Sequence, residues 1–120
     1  DTLYVVIGAY FDEFTDGRGY SEPPARISFG GRSDVSRPTM FYYILLRTKS
    51  GSTGKPLSQC TASELKCAAF VVGHYSAKGR KPTAADMMSV EELERLTGFT
   101  FFANVPNAPK GKANAADWGL

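Results

Sequence analysis

The 120-residue sequence predicts an α+β fold, an antiparallel β-sheet packed by a C-terminal helix. Three runs rich in aromatic and β-branched residues, at 3–11, 40–48 and 65–74, come before the one segment with clear helical periodicity, at 89–97. The connections between the runs are rich in Gly, Ser and Pro, as antiparallel connections usually are. The helical segment carries both a start and a stop signal.

The first run, Leu3-Tyr4-Val5-Val6-Ile7, reads as a buried strand, and Gly8 marks a bulge or a close approach of a neighbour. Residues 12–24 form a loop of Gly, Asp, Glu and Pro. Arg26 to Phe29 reads as a short strand closed by Gly30-Gly31, and the polar, basic stretch 32–38 follows. The strongest strand is Met40-Phe41-Tyr42-Tyr43-Ile44-Leu45-Leu46-Arg47-Thr48. The six bulky residues after Met40 predict cover on both faces, and one helix can cover only one. The second layer is therefore expected to be missing from this chain, or to come from the loops, or from another polypeptide.

Residues 50–56 suit a long hairpin connection. In the third run Ala68, Phe70 and Val72 share one face, and Ala69, Val71 and Gly73 share the other. Ser89 and Glu92 have capping-box spacing, and Glu91 and Glu92 suit the positive end of a helix dipole. Val90, Leu93 and Leu96 form a narrow apolar face, and Gly98 suits the left-handed position after the last turn. Two parts are predicted, a body at 1–104 and an irregular tail at 105–120 with Trp118 as its anchor.

Charge and composition set broad bounds. The net charge is +2 and the pI about 8.6, which neither demands nor excludes a nucleic-acid partner. No apolar run approaches the ~20 residues that span a bilayer, so no membrane span is expected. The β-rich run starts almost at the first residue, so a signal peptide or a larger piece is expected to precede it. A domain trimmed near its boundary would start the same way. Cys60 and Cys67, six residues apart, could close a small disulfide loop of exported proteins, and their spacing equally allows two free thiols.

Few constellations point to chemistry. His74 is the only histidine and ends an apolar strand, a position more often structural than catalytic. Asp12, Glu13 and Asp16 could offer oxygen ligands to a divalent cation, but their spacing matches no calcium loop and reads first as a solvated charge run. Gly17-Arg18-Gly19 and Gly30-Gly31-Arg32 lack a phosphate-loop signature. Arg26, Arg32 and Arg37 in one stretch, with Lys78, Arg80 and Lys81 in another, are the candidates for nucleic-acid contact, each also readable as a solvated loop.

Four blocks of sequence carry a resemblance. The stretch from Ser89-Val90-Glu91-Glu92-Leu93 through Thr97-Gly98-Phe99-Thr100-Phe101-Phe102-Ala103-Asn104-Val105-Pro106 resembles the closing segment of DNA/RNA non-specific endonucleases, the endonuclease G-like group with a ββα-metal (His-Me finger) site. Asp1 to Gly8 is similar to that family's strand running into a Thr-Gly step, with Ile7 in place of the Thr. Pro38-Thr39-Met40-Phe41-Tyr42-Tyr43 resembles its Pro-x-x-Phe-Tyr-Lys strand, with Tyr43 in place of the Lys, and Leu65 to Phe70 resembles the strand that follows.

The blocks come in family order. The resemblance implies the C-terminal half of an exported, Mg²⁺-dependent nuclease domain acting on DNA or RNA. The family's Asp-Arg-Gly-His signature does not occur in the chain, and its metal-binding Asn belongs to the same upstream half. No catalytic residue, metal ligand or bound cofactor is therefore expected here, and His74 matches no motif position. The implied partner is the N-terminal part of the same domain, in cis or as a cleaved chain. The alternatives are a non-catalytic binding module on a nuclease-like scaffold and an unrelated secreted α+β domain.

Overall fold

A computed structural model describes residues 1–15, 21–29, 31–73 and 83–120, with the backbone alone at 22, 25, 27–29 and 32–35. Its centre is a four-stranded antiparallel sheet. The strands in chain order are β1 (Tyr4–Tyr10), β2 (Phe14–Thr15), β3 (Ser21–Glu22), β4 (Ala25–Phe29), β5 (Arg32–Arg37), β6 (Met40–Thr48), β7 (Leu65–Gly73) and β8 (Met87–Met88), followed by helix α1 (Val90–Thr97). The sheet order is β1-β6-β7-β8; β2 pairs with β3 and β4 with β5 as separate hairpins. The architecture is the α+β class that the sequence predicts.

β6 organises the sheet. It pairs with β1 from Tyr4↔Leu46 to Tyr10↔Met40, and with β7 from Met40↔Gly73 to Thr48↔Leu65. Its side chains alternate: Met40, Tyr42, Ile44, Leu46 and Thr48 are buried, while Phe41, Tyr43, Leu45 and Arg47 are exposed or half-buried. The expectation that both faces of this strand are covered is therefore corrected. A strand buried on one side follows the two-residue period of the pleat, and only that side meets a second layer.

The covered face is the core. Val6, Tyr42, Ile44, Leu46, Cys67, Ala69 and Val71 meet Val90 and Leu93 of α1, with Phe101, Phe102 and Val105 filling beside them. Gly8 is a close approach: a Cβ there would lie 2.3 Å from the Tyr42 ring, which covers the bare backbone from the neighbouring strand.

Helix α1 begins as predicted at Ser89, whose Oγ accepts a hydrogen bond from the Glu92 amide at 3.1 Å. It ends at Gly98, with φ 79° and an amide that donates to the Glu94 carbonyl. The reciprocal arm of the expected capping box, from the Glu92 side chain to the Ser89 amide, does not form; the Glu91 amide, a separate donor of the first turn, donates to the Lys110 carbonyl at 2.9 Å. Of the expected apolar face, Val90 and Leu93 are fully buried and Leu96 is 37% exposed.

The tail is irregular apart from a 3-10 turn at Ala115–Trp118, yet it packs on the body. Val105 is buried, Asn107 Nδ2 donates to the Cys60 carbonyl, and Lys110 Nζ reaches Glu94. Four strands, β2, β3, β5 and β8, escape the sequence reading. The stretch 32–37 pairs with β4, and the loop at 12–24 contains the β2–β3 hairpin. Neither β5 nor β2 has the apolar alternation that marks a half-buried strand.

Candidate basic groove

The tail, the end of β6 and the start of β7 enclose the best-formed concavity of the described residues, a groove of about 690 Å³. Lys49, just past β6, Lys66 on β7 and Lys112 from the tail bring three ammonium groups to it, against the single carboxylate of Asp117. Ser63 and Asn114 add neutral polar groups, and Leu65 and Cys67 add apolar surface. Lys66 is held in place: Nζ donates to the Asp117 carbonyl and lies 4.5 Å from the Trp118 ring centroid. That contact anchors the tail through Trp118, the anchor expected from the sequence.

The groove offers cations, hydrogen-bond donors and one carboxylate, Asp117, but no histidine. Cys67 is the only candidate nucleophile, and burial pushes its thiol up to about 11, with Lys110 lowering and Glu94 raising it. It stays a thiol at neutral pH and donates to the Pro109 carbonyl at 3.3 Å. Cys60 lies elsewhere in the core, its Sγ 3.6 Å from the Pro56 carbonyl. Both cysteines are free, so the disulfide loop allowed by their spacing is corrected. β7 turns Cys67 toward the helix and tail, and Cys60 sits in the connection before that strand.

Arg26 and Arg37 lie on the β4–β5 hairpin, on opposite faces because they belong to successive pairs, Arg26↔Ser36 and Ala25↔Arg37. Arg26 is exposed and Arg37 half-buried. Arg32 opens β5, opposite Phe29. The candidates Lys78, Arg80 and Lys81 fall outside the described residues, as do His74 and Asp16. The basic groove escaped the sequence reading because its lysines come from three separate parts of the chain, with no local clustering to reveal them.

Among the described residues, no three His, Cys, Asp or Glu side chains are placed to hold a metal ion. The donor set here does not fit the Mg²⁺ that the resemblance implies for a whole domain, and no chemical step is assigned to a metal on this chain. Again among the described residues, no helix is long and apolar enough to cross a membrane.

A chain of the crystal structure of the EndoG/EndoGI complex, solved to explain the mechanism of EndoG inhibition, superimposes with a TM-score of 0.58 at 18% sequence identity. The two chains share a fold. The match covers 92% of this chain but 42% of that one, so the chain spans less than half the length of its structural neighbour. No family model matches the sequence, and no curated protein matches it.

Proposed function

We propose that this chain is the C-terminal scaffold portion of a metal-dependent DNA/RNA non-specific endonuclease, supplying the central sheet, the closing helix and backbone contacts but not the cutting residues. The likeness over 92% of the chain to a structure from a nuclease-related complex carries this reading. The ordered sequence blocks at Asp1, Pro38, Leu65 and Ser89 support it independently. The proposal includes export through a cleaved leader, which the coding sequence before Asp1 would reveal.

The chemistry of the described residues fits a supporting role. Phosphodiester hydrolysis needs a base to activate water and a cation to neutralise the leaving oxygen. Lys49, Lys66 and Lys112 can neutralise phosphate charge, and the groove holds no histidine and a single carboxylate, Asp117, with no second acidic group beside it to share a metal ion. The expected result is no cleavage of plasmid DNA or RNA by the purified chain with Mg²⁺. Cleavage restored when the chain is joined to its preceding segment would support the reading. Cleavage by the 120 residues alone would overturn it.

The basic groove favours a second reading, a binding module without catalysis. In that case the chain binds single- or double-stranded DNA unaided. The logarithm of affinity would fall against the logarithm of salt concentration with a slope of about 2 to 3, one unit per lysine engaged. Lys49→Ala or Lys112→Ala would each reduce that slope by about one. Binding that ignores both substitutions removes the groove from this reading.

A further inference from the structure

The second face of the central sheet is apolar and, over β1 and β6, exposed or half-buried, whereas its β7 residues Phe70 and Ala68 are buried. One register row runs Ile7, Tyr43, Phe70, Met87 across all four strands. The next runs Val5, Leu45, Ala68. Ile7 is 79% exposed and Val5 49%, whereas Ile44 and Leu46, on the other face of the same sheet, are fully buried. Tyr43 lies flat on Phe70, with ring centroids 4.9 Å apart and an interplanar angle of 11°. These rows hold no ionised side chain; charge flanks them at the Arg47↔Lys66 pair and at buried Asp86. Burial, and after it the nearby Asp86, raises the pKa of Tyr43.

We propose that this face is the docking surface for the remainder of the same domain, a tethered polypeptide layer that presents an apolar face to Ile7, Tyr43 and Leu45. The proposal rests on the nuclease reading and names the surface through which the two portions join. The neighbouring structure continues well beyond the matched part, which is 42% of its length.

Area decides against a second copy of this chain. At the usual strand spacing and rise its open part, over β1 and β6, covers roughly 150 Å². That is within what a monomer ordinarily leaves open and well under the ~800 Å² per partner of a stable association between separate molecules. A tethered layer needs less, because linkage raises its effective concentration to the millimolar range for a short linker.

Single-cysteine labelling tests the proposal, because Cys60 and Cys67 are buried and give little background. Ile7→Cys and the exposed control Ser52→Cys are each made in this chain and in the polypeptide extended through the coding region before Asp1. In the 120-residue chain a maleimide should label both at similar rates. In the extended polypeptide, Ile7→Cys should label at least about tenfold more slowly and Ser52→Cys unchanged.

Equal labelling of Ile7→Cys in an extended polypeptide that cleaves DNA overturns the surface and keeps the nuclease reading. Protection in an extended polypeptide that cleaves nothing supports the surface and removes the nuclease reading. Protection already present in the isolated chain, and rising with its concentration, makes the occupant a second copy and overturns the proposal. So does a reading frame that opens at Asp1 with no separate partner chain.

Discussion

Glu94 shows how much one side chain can hold. Its Oε2 accepts from the Phe101 amide at 2.9 Å and from Lys110 Nζ at 3.0 Å, tying the helix to the aromatic run and to the tail. Burial alone would raise its pKa, but the Phe101 amide and Lys110 outweigh that and hold it below the ordinary carboxylate value of 4.5. A lowered folded pKa means that the stabilisation is complete above the unfolded value and is lost as pH falls through the folded one. Glu94→Gln should therefore cost about 1 to 2 kcal/mol at pH 7. The gap from the unsubstituted chain should narrow as pH falls through the lowered folded pKa, because protonated Glu94, like Gln, is neutral. Urea unfolding of the two proteins at pH 7 and pH 3 measures this; a gap that does not depend on pH would refute the assignment.

Cys60 and Cys67 give a simpler check at the same scale. Alkylation after denaturation without reductant should add two equivalents by mass, where a disulfide would allow none. The sequence carried no sign of the links made by Glu94. A carboxylate seven residues before an amide, and sixteen before an ammonium, has no local signature, because the link depends on where the tail returns.

Among the elements, α1 was the most legible, because its punctuation is local. Ser89 supplies the cap and Gly98 the left-handed stop within the segment itself. Ser89→Ala should lower stability by about 1 kcal/mol, and Gly98→Ala by a similar amount, because φ there is 79°. Thermal unfolding of each variant should show both losses, and a neutral Gly98→Ala would mean that the stop does not need glycine.

β6 and β7 were equally legible from their aromatic and β-branched runs. β5 was not, because Arg32-Ser33-Asp34-Val35-Ser36-Arg37 owes its strand to pairing with β4 and shows no apolar alternation. The bond that ties the start of α1 to the tail was illegible for a related reason. The Glu91 amide is satisfied by a carbonyl from the tail, a long-range partner that local spacing cannot show.

For the whole molecule, the sequence anticipated a missing layer because six bulky residues in one strand outnumber what one helix can cover. The structure locates that shortage on the face of Val5 and Ile7. The structural likeness shows a fold shared with a chain of the EndoG/EndoGI complex, and the nuclease reading proposed above joins it to the ordered sequence blocks. The basic groove was illegible for the opposite reason, since it exists only once β6, β7 and the tail have met. Removing residues 105–120 should open it, uncover Cys67 and strip the Glu91 amide of its acceptor. Ellman's reagent should then titrate a thiol that reacts slowly in the intact chain. An unchanged thiol rate would mean that the tail does not shield the core.

The Lys110 carbonyl that closes the start of α1 also sets an order of events during synthesis. The helix leaves the ribosome before its acceptor does, by nineteen residues counted from Glu91, or roughly 1 to 4 seconds at ordinary elongation rates. During that interval the helix end, the Glu94 carboxylate and the Cys67 thiol are all still open to water. The nascent domain is thus assembled loosely at first and fastened only when its last stretch arrives.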